Sequence, residues 1–417
     1  MNLGCYADET PPGRVMLPGG AVLLTVPVPG AHSVALGCWV RRSTQDEPPG
    51  LGGLSHFIEH IVFKGSVNRS ALEIAAGFDA LGASVDAFTT KDNLAFTARV
   101  LPEYLPATAE LLADMLLRPA LDPEMIKLEQ EVVCEEIQEA RDTPEDHLHD
   151  AFEARLYESH PRALPILGTR ESVMALDQAT LRREHAALMC GPNLVVTLAG
   201  EVDERARDLV ARLFDAPPPR QAAAPGSTPL NAGGAGRLDL RGPLVQSYFE
   251  LGAAAVSLNH PDRVAIYLVA NLLGGGMSSR VFQAVREREG LAYTVYIYTD
   301  LGRDTGLVSC AGSCSPAKMS RVEEVVRQEY ARLIRDGADA DELEANRAQL
   351  KAQTVFSLEG VMGQMGRAAK NEIYHGRFVP LTELVAELDA VDRDGVARAA
   401  ELYFHPDRLV VATYGPA

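Results

Sequence analysis

His56-Phe57-Ile58-Glu59-His60 places two imidazoles four residues apart, and on an α-helix residues at that spacing share one face. Glu59 projects toward the same side. Two nitrogen donors and a nearby carboxylate make a catalytic metal site, in which the carboxylate takes a proton from a water. The flanks support a helix. Gly50-Leu-Gly-Gly53 gives a flexible approach, and Ser55 or the glycines begin the helix. Leu54, Phe57, Ile58, Ile61 and Val62 form an apolar side, and Lys64-Gly65 supplies a terminal cation and a stop. The competing reading is a pair of hydrogen-bonded core histidines. It is poor for three polar groups on one buried face, where each unpaired group costs about 1–3 kcal/mol.

A third ligand is expected from the helix-forming segment Pro123 to Ala140. Its inward stripe reads Glu129, Val132, Val133, Glu136, Ile137, Ala140, while Glu131, Glu135 and Glu139 fall on a solvated face. Two carboxylates inside an apolar stripe need a cation or several donors. Glu136 is the expected ligand, and Glu129, two turns earlier, is expected to orient a ligand or the water. The expected ion is Zn2+, although two histidines and one carboxylate also suit iron or manganese.

Gly53-Leu-Ser-His-Phe-Ile-Glu-His-Ile-Val-Phe-Lys-Gly65 and Glu129-Gln-Glu-Val-Val-Cys-Glu-Glu-Ile137 resemble the two zinc-site runs of the pitrilysin/insulysin family of metallopeptidases. The H-x-x-E-H order marks inverted zincins (inverzincins). The separation of the second histidine from the downstream glutamate, 136 minus 60 or 76 residues, also fits. The likeness extends over nearly the whole chain and is to the short branch with the mitochondrial processing peptidases. It implies that His56, His60 and Glu136 hold zinc and that Glu59 is the general base. It also implies that Arg286 and Tyr293, seven residues apart after Gly274-Gly-Gly-Met-Ser-Ser-Arg280, hold the substrate backbone. That glycine run is not a phosphate loop, because no Gly-Lys-Ser/Thr follows it. One position departs from the family: in Val85-Asp-Ala-Phe-Thr-Thr-Lys91, Asp86 stands where relatives carry asparagine. An ionised aspartate cannot donate a hydrogen bond. It pairs with Lys91, shifts preference toward basic peptides, lowers activity, or is a tolerated swap.

Between the halves lies a Pro-, Ala- and Gly-rich linker, residues 216–236, which cannot build a core. Residues 1–215 are expected to form a zinc-binding peptidase domain and 237–417 a related substrate-binding domain. Both close on a helix followed by a strand, and the terminal glycines, Gly200 and Gly415, are 415 minus 200 or 215 residues apart. Strands at Ala21 to Val28, His32 to Arg41, Leu94 to Val100 and Leu244 to Leu251 alternate with helices at Ala71 to Leu81, Pro102 to Leu117, Asp262 to Leu273, Ser320 to Arg335 and Asp341 to Ser357. The class is therefore α+β: two related domains, each a mostly antiparallel sheet covered by helices.

A net charge of −18 argues against nucleic acid; it either attracts cationic peptides or serves solubility alone. No apolar run reaches the roughly 18 residues of a membrane span. The N-terminus resembles neither a secretory signal nor a mitochondrial presequence, so a cytoplasmic protein is expected. The six cysteines are scattered and expected to be reduced. The expected activity is zinc-dependent endopeptidase action on peptides or unfolded segments in an enclosed chamber. The short chain has one zinc motif and one Arg/Tyr pair, so a homodimer is expected, with a paired homologous chain as the alternative. The rival readings are a non-catalytic subunit of a two-chain peptidase and an iron oxygenase, the latter leaving Glu59 without a task.

Overall fold

The computed structural model describes residues 9–215 and 235–417. The linker expected at 216–236 falls almost wholly outside them, and Gly236 already opens a strand. The first half supplies β1 (Gly13–Met16), β2 (Val22–Pro27), β3 (Val34–Val40), β4 (Ser84–Thr89), β5 (Leu94–Val100) and β6 (Leu194–Gly200). The second supplies β7 (Gly236–Gly242), β8 (Ser247–Ala255), β9 (Ala292–Leu301), β10 (Gly306–Cys314) and β11 (Val410–Pro416). The sheet orders are β1-β2-β6-β3-β5-β4 and β7-β11-β8-β10-β9. Without β1 the two orders are the same, with β2–β6 and β7–β11 as parallel pairs and the remaining pairs antiparallel. The duplication thus holds strand by strand, and β4 and β9 are the equivalent open edges.

The first helices of the first half are α1 (Leu54–Ile61), α2 (Ala71–Ala80), α3 (Leu105–Leu117), α4 (Pro123–Asp142) and α5 (Pro144–Tyr157). Leu36, Cys38, Phe96 and Val196 from one sheet face pack with Phe57, Ile58 and Ile61 of α1 and with Leu112 and Val133. The opposite face, with Val22, Leu24, Trp39, Ala95 and Val195, is covered by Val361, Met365, Ala368 and Ala369 of the second half's helix Val361–Lys370. The favour is returned. On the second sheet, one face packs with that half's own helices. On the other, Leu307, Val410 and Ala412 of the sheet pack with Leu148, Phe152, Leu156 and Tyr157 of α5. Each half lends the other a helix. That is why β3 and β6 are buried on both faces and read as continuous apolar runs.

The helix Val361–Lys370 contains two glycines that differ in their surroundings. A Cβ on Gly363 would lie 2.0 Å from the Ser357 carbonyl oxygen, so only glycine fits. A Cβ on Gly366 would meet nothing within 4 Å. Among the described residues no helix is long and apolar enough to cross a membrane.

Candidate active site

α1 is started by a contact between distant segments. Its N-cap is Gly53, at φ +87°, where a Cβ would lie 2.4 Å from the Leu167 carbonyl oxygen. The Glu47 carboxylate accepts the Gly53 and Ser55 backbone N–H groups at 2.9 and 2.6 Å, so a side chain from outside the motif caps the helix. Burial pushes the Glu47 carboxyl up to about 7, against the pull of those donors. α1 ends at Ile61, one tight turn continues to Lys64, and Gly65 follows.

α4 begins with Asp122 accepting from Glu124 and Met125 and with Pro123 in the first turn. Its buried side is Ile126, Glu129, Gln130, Val133, Cys134 and Ile137. Two members of the expected stripe therefore change: Val132 is 39% exposed and Ala140 is half-buried, while Gln130 and Cys134 face inward. Gln130 can do so because its amide donates to the Val173 and Leu176 carbonyls.

The two helices bring His56, His60 and Glu136 together, with one ligand atom from each all lying within 4.8 Å of one another. Glu136 Oε2 is 3.8 Å from His56 Nε2 and 3.4 Å from His60 Nε2. Glu129 is buried behind them. Its Oε1 meets His60 Nδ1 at 2.8 Å and its Oε2 pairs with Lys64 Nζ at 2.9 Å. A proton on Nδ1 leaves Nε2 as a free electron-pair donor facing Glu136. The contacts of Glu129 are thus with a histidine of the group and with Lys64.

Protonation fits a cation site. Burial lowers the His56 imidazole to about 4, so its ring is neutral. Burial opposes charge on His60, but the Glu129 hydrogen bond and nearby carboxylates raise it. Burial, helped by Glu129 and Glu139, raises Glu136. Glu136 Oε2 and His56 Nδ1 are buried without a hydrogen-bond partner. A cation among the three side chains would satisfy that orphaned oxygen, and two imidazoles with one carboxylate are a zinc donor set. Glu59 stands apart from the ligand group. Its Oε2 accepts from Thr89 Oγ1 of β4 at 2.5 Å, and burial raises its carboxyl. Sequence reasoning had given Thr89 no role.

Asp86 is exposed on β4, and its Oδ1 accepts from the Ala87 N–H at 3.0 Å. It does not pair with Lys91, which is buried and committed to the Arg162 and Leu164 carbonyls and to Glu153 at 2.9 Å. Arg286 lies in the π-turn helix Phe282–Arg288, with its guanidinium 4.4 Å from the ring centre of Tyr293. Tyr293 is 79% exposed at the start of β9, not a core strand residue. Among the described residues the pair meets each other and not the His56–His60–Glu136 group.

Beside that group runs a cleft of about 580 Å³. His56, Glu59 and Ala87 to Lys91 line one side, and the rest holds four carboxylates, Asp146, Asp150, Glu153 and Asp300, with His149 among them. Asp300 comes from β9 of the second half and pairs with the buried Arg162 at 2.5 Å.

Comparison with known proteins gives the same picture. Residues 22–170 match the insulinase family (peptidase family M16), and residues 175–350 match the peptidase M16 inactive domain. A Bacillus subtilis protein named "uncharacterized zinc protease YmxG" is 33% identical over 379 residues, covering 91% of this chain and 92% of its own. The chain belongs to peptidase family M16. A Streptomyces coelicolor relative, also named an uncharacterized zinc protease, is 34% identical over 93% of this chain and 86% of its own. The M16 fold is seen again in a protease from Helicobacter pylori, with a TM-score of 0.91 at 20% identity, covering 97% of this chain and all of that one. A Pseudomonas fluorescens structure described as a peptidase M16 inactive domain gives 0.89 at 20% identity, with 98% of each chain covered.

Proposed function

We propose that this M16 chain is a zinc-dependent endopeptidase acting on peptides or unfolded segments, and that His56, His60 and Glu136 are its ligands. The convergence of those three side chains, with Glu59 held just outside them by Thr89, carries the reading. Zinc bound there would polarise the scissile carbonyl and acidify a water. Glu59, raised by burial, is placed to accept the proton and return it to the leaving amine. Glu129 and Lys64 hold His60 in one ring orientation. An extended peptide would add to the open edge of β4, which selects backbone more than sequence. The acidic cleft favours basic residues, with Asp86 adding charge at its mouth. Buried free thiols at Cys38, Cys134, Cys190, Cys310 and Cys314 suit a reducing, cytoplasmic setting.

The test separates binding from chemistry. Purified chain should carry about one zinc, lost in His60→Ala and Glu136→Ala. Glu59→Gln should keep zinc and fold yet lose hydrolysis by about 100-fold or more. Near-normal turnover in that variant would refute the general-base role, and full zinc in Glu136→Ala would refute the ligand assignment.

Arg286 and Tyr293 would donate to the carbonyl oxygen as it gains charge. β9 reaches the cleft at Asp300, and Tyr293 is seven residues back along it, roughly 23 Å at the rise of a strand. This favours a two-fold homodimer in which the pair serves the partner's site. Mixing Glu59→Gln chains with Tyr293→Phe chains should then restore part of the activity, because one site of each mixed dimer carries neither change. No restoration, or an active monomer, would defeat the arrangement.

A further inference from the structure

Phe88 stands between two cavities. On one side is the acidic cleft of the zinc ligands. On the other is a separate cavity of about 490 Å³, within the range of small-ligand pockets. Its apolar and aromatic part is made by Trp39, Phe88, Tyr267, Leu358, Met362 and Leu384, and Arg263, Arg367, Lys370 and His375 also line it. Among the described residues no acidic side chain lines it, in contrast to the cleft.

The pleat of β4 decides what reaches each space. Thr89 lies opposite Leu94 on the face of α1 and bonds Glu59. Phe88 lies opposite Ala95 on the other face, where its ring meets Trp39 edge-on at 5.5 Å. A strand added to the β4 edge continues the same alternation. Every second side chain of that strand then points away from the zinc ligands, toward the side that Phe88 and Trp39 wall. Gly366 is the independent observation. It lines the cavity, it weakens its helix, and no packing contact requires it, so the room it leaves is space the chain itself does not fill.

We propose that this cavity is a specificity subsite, taking an apolar, preferably aromatic, side chain of a peptide paired to β4. The inference rests on the peptidase reading above. It adds a sequence preference on the sheet face opposite the catalytic group, set by residues of both halves.

Trp39, the chain's only tryptophan, lines the cavity and serves as a reporter. The probes are capped eight-residue alanine–lysine peptides in which one phenylalanine is moved a position at a time. They are titrated into the zinc-loaded Glu59→Gln chain while Trp39 emission is followed. Phenylalanine should improve binding about tenfold or more over alanine, but only at alternate positions, and those peptides should shift the emission. In Gly366→Leu the phenylalanine-to-alanine ratio should fall below about twofold, a ratio unaffected by any general loss of affinity. Met362→Ala enlarges the space and should move the preference from phenylalanine to naphthylalanine, which keeps the test open if the leucine variant does not fold. An unchanged ratio in Gly366→Leu with no switch in Met362→Ala overturns the subsite, as does a preference without alternation or no binding at all. Hydrolysis of the same peptides by the chain with Glu59 intact is scored separately. Peptides bound with the expected alternation but never cut would sink the peptidase reading and leave the subsite standing. Peptides cut with no phenylalanine preference would do the reverse.

Discussion

Glu129 is the residue on which the zinc assignment can be tested without touching a ligand. It is buried and divides its two oxygens between His60 and Lys64. Glu129→Gln keeps the shape but removes the charge that favours Nδ1–H on His60. Zinc affinity should fall about 10- to 100-fold with the fold intact, as read by competition with a chelating dye. Unchanged affinity would reduce Glu129 to a packing role. The carboxylates at 129 and 136 were legible because seven residues return a helix to the same face. The partners of the site's carboxylates were not: Lys64, which pairs with Glu129, is 129 minus 64 or 65 residues away, and Thr89, which bonds Glu59, lies on a sheet strand beside β5. Glu47 was hidden for a different reason. Helix caps are local in most sequences, but here the acceptor approaches from the preceding loop.

Among the elements, the helix Val361–Lys370 answers most directly to single substitutions. Gly363→Ala forces a Cβ onto the Ser357 carbonyl and should lower the melting temperature. Gly366→Ala adds a methyl to open space and should raise stability by up to about 1 kcal/mol, the helical difference between the two residues. Calorimetry of the two variants should give opposite signs; the same sign would contradict the packing described. This helix and α5 were not anticipated by the sequence reading, whereas α3, α4 and the strands β2, β3 and β5 were placed within a few residues. The difference is one of signal. Those strands are continuous apolar runs, while Val361–Lys370 carries two glycines and α5 is rich in charge and histidine. What hides them is that each buries its apolar side on the other half's sheet.

The two halves also meet through charge. His149 of α5 reaches Glu250 of β8 at 3.3 Å and Tyr298 of β9 at 3.1 Å, with Glu153 and Asp150 nearby. Burial alone would lower this imidazole, but the Glu250 hydrogen bond and the surrounding carboxylates push it up to about 9. A histidine whose folded pKa exceeds its unfolded value of about 6.5 stabilises fully below that value. The contribution is lost as pH rises through about 9. The stability advantage of the native chain over His149→Gln should therefore shrink between about pH 6.5 and 9 in parallel denaturant titrations. The effect is modest, because 39% of the side chain is exposed and solvent screens the pair. A pH-independent difference would show that His149 contributes packing alone. The two-sheet architecture and its repeat were visible in the paired strand endings near Gly200 and Gly415. The joining of the halves was not, since it is written in contacts between residues that are far apart in sequence.

The exchanged helices matter before the chain is finished. Val22, Leu24, Trp39, Ala95 and Val195 belong to strands complete once Gly200 has been made, but their cover ends at Lys370, 370 minus 200 or 170 residues later. At synthesis rates of about 5–20 residues per second, the bare face waits roughly ten to thirty seconds for its covering helix. During that interval the nascent first half presents a greasy surface beside an unpaired β4 edge, an invitation to sticking between neighbours on the same message. A protein built this way needs shielding on the ribosome for longer than its first half's length alone would require.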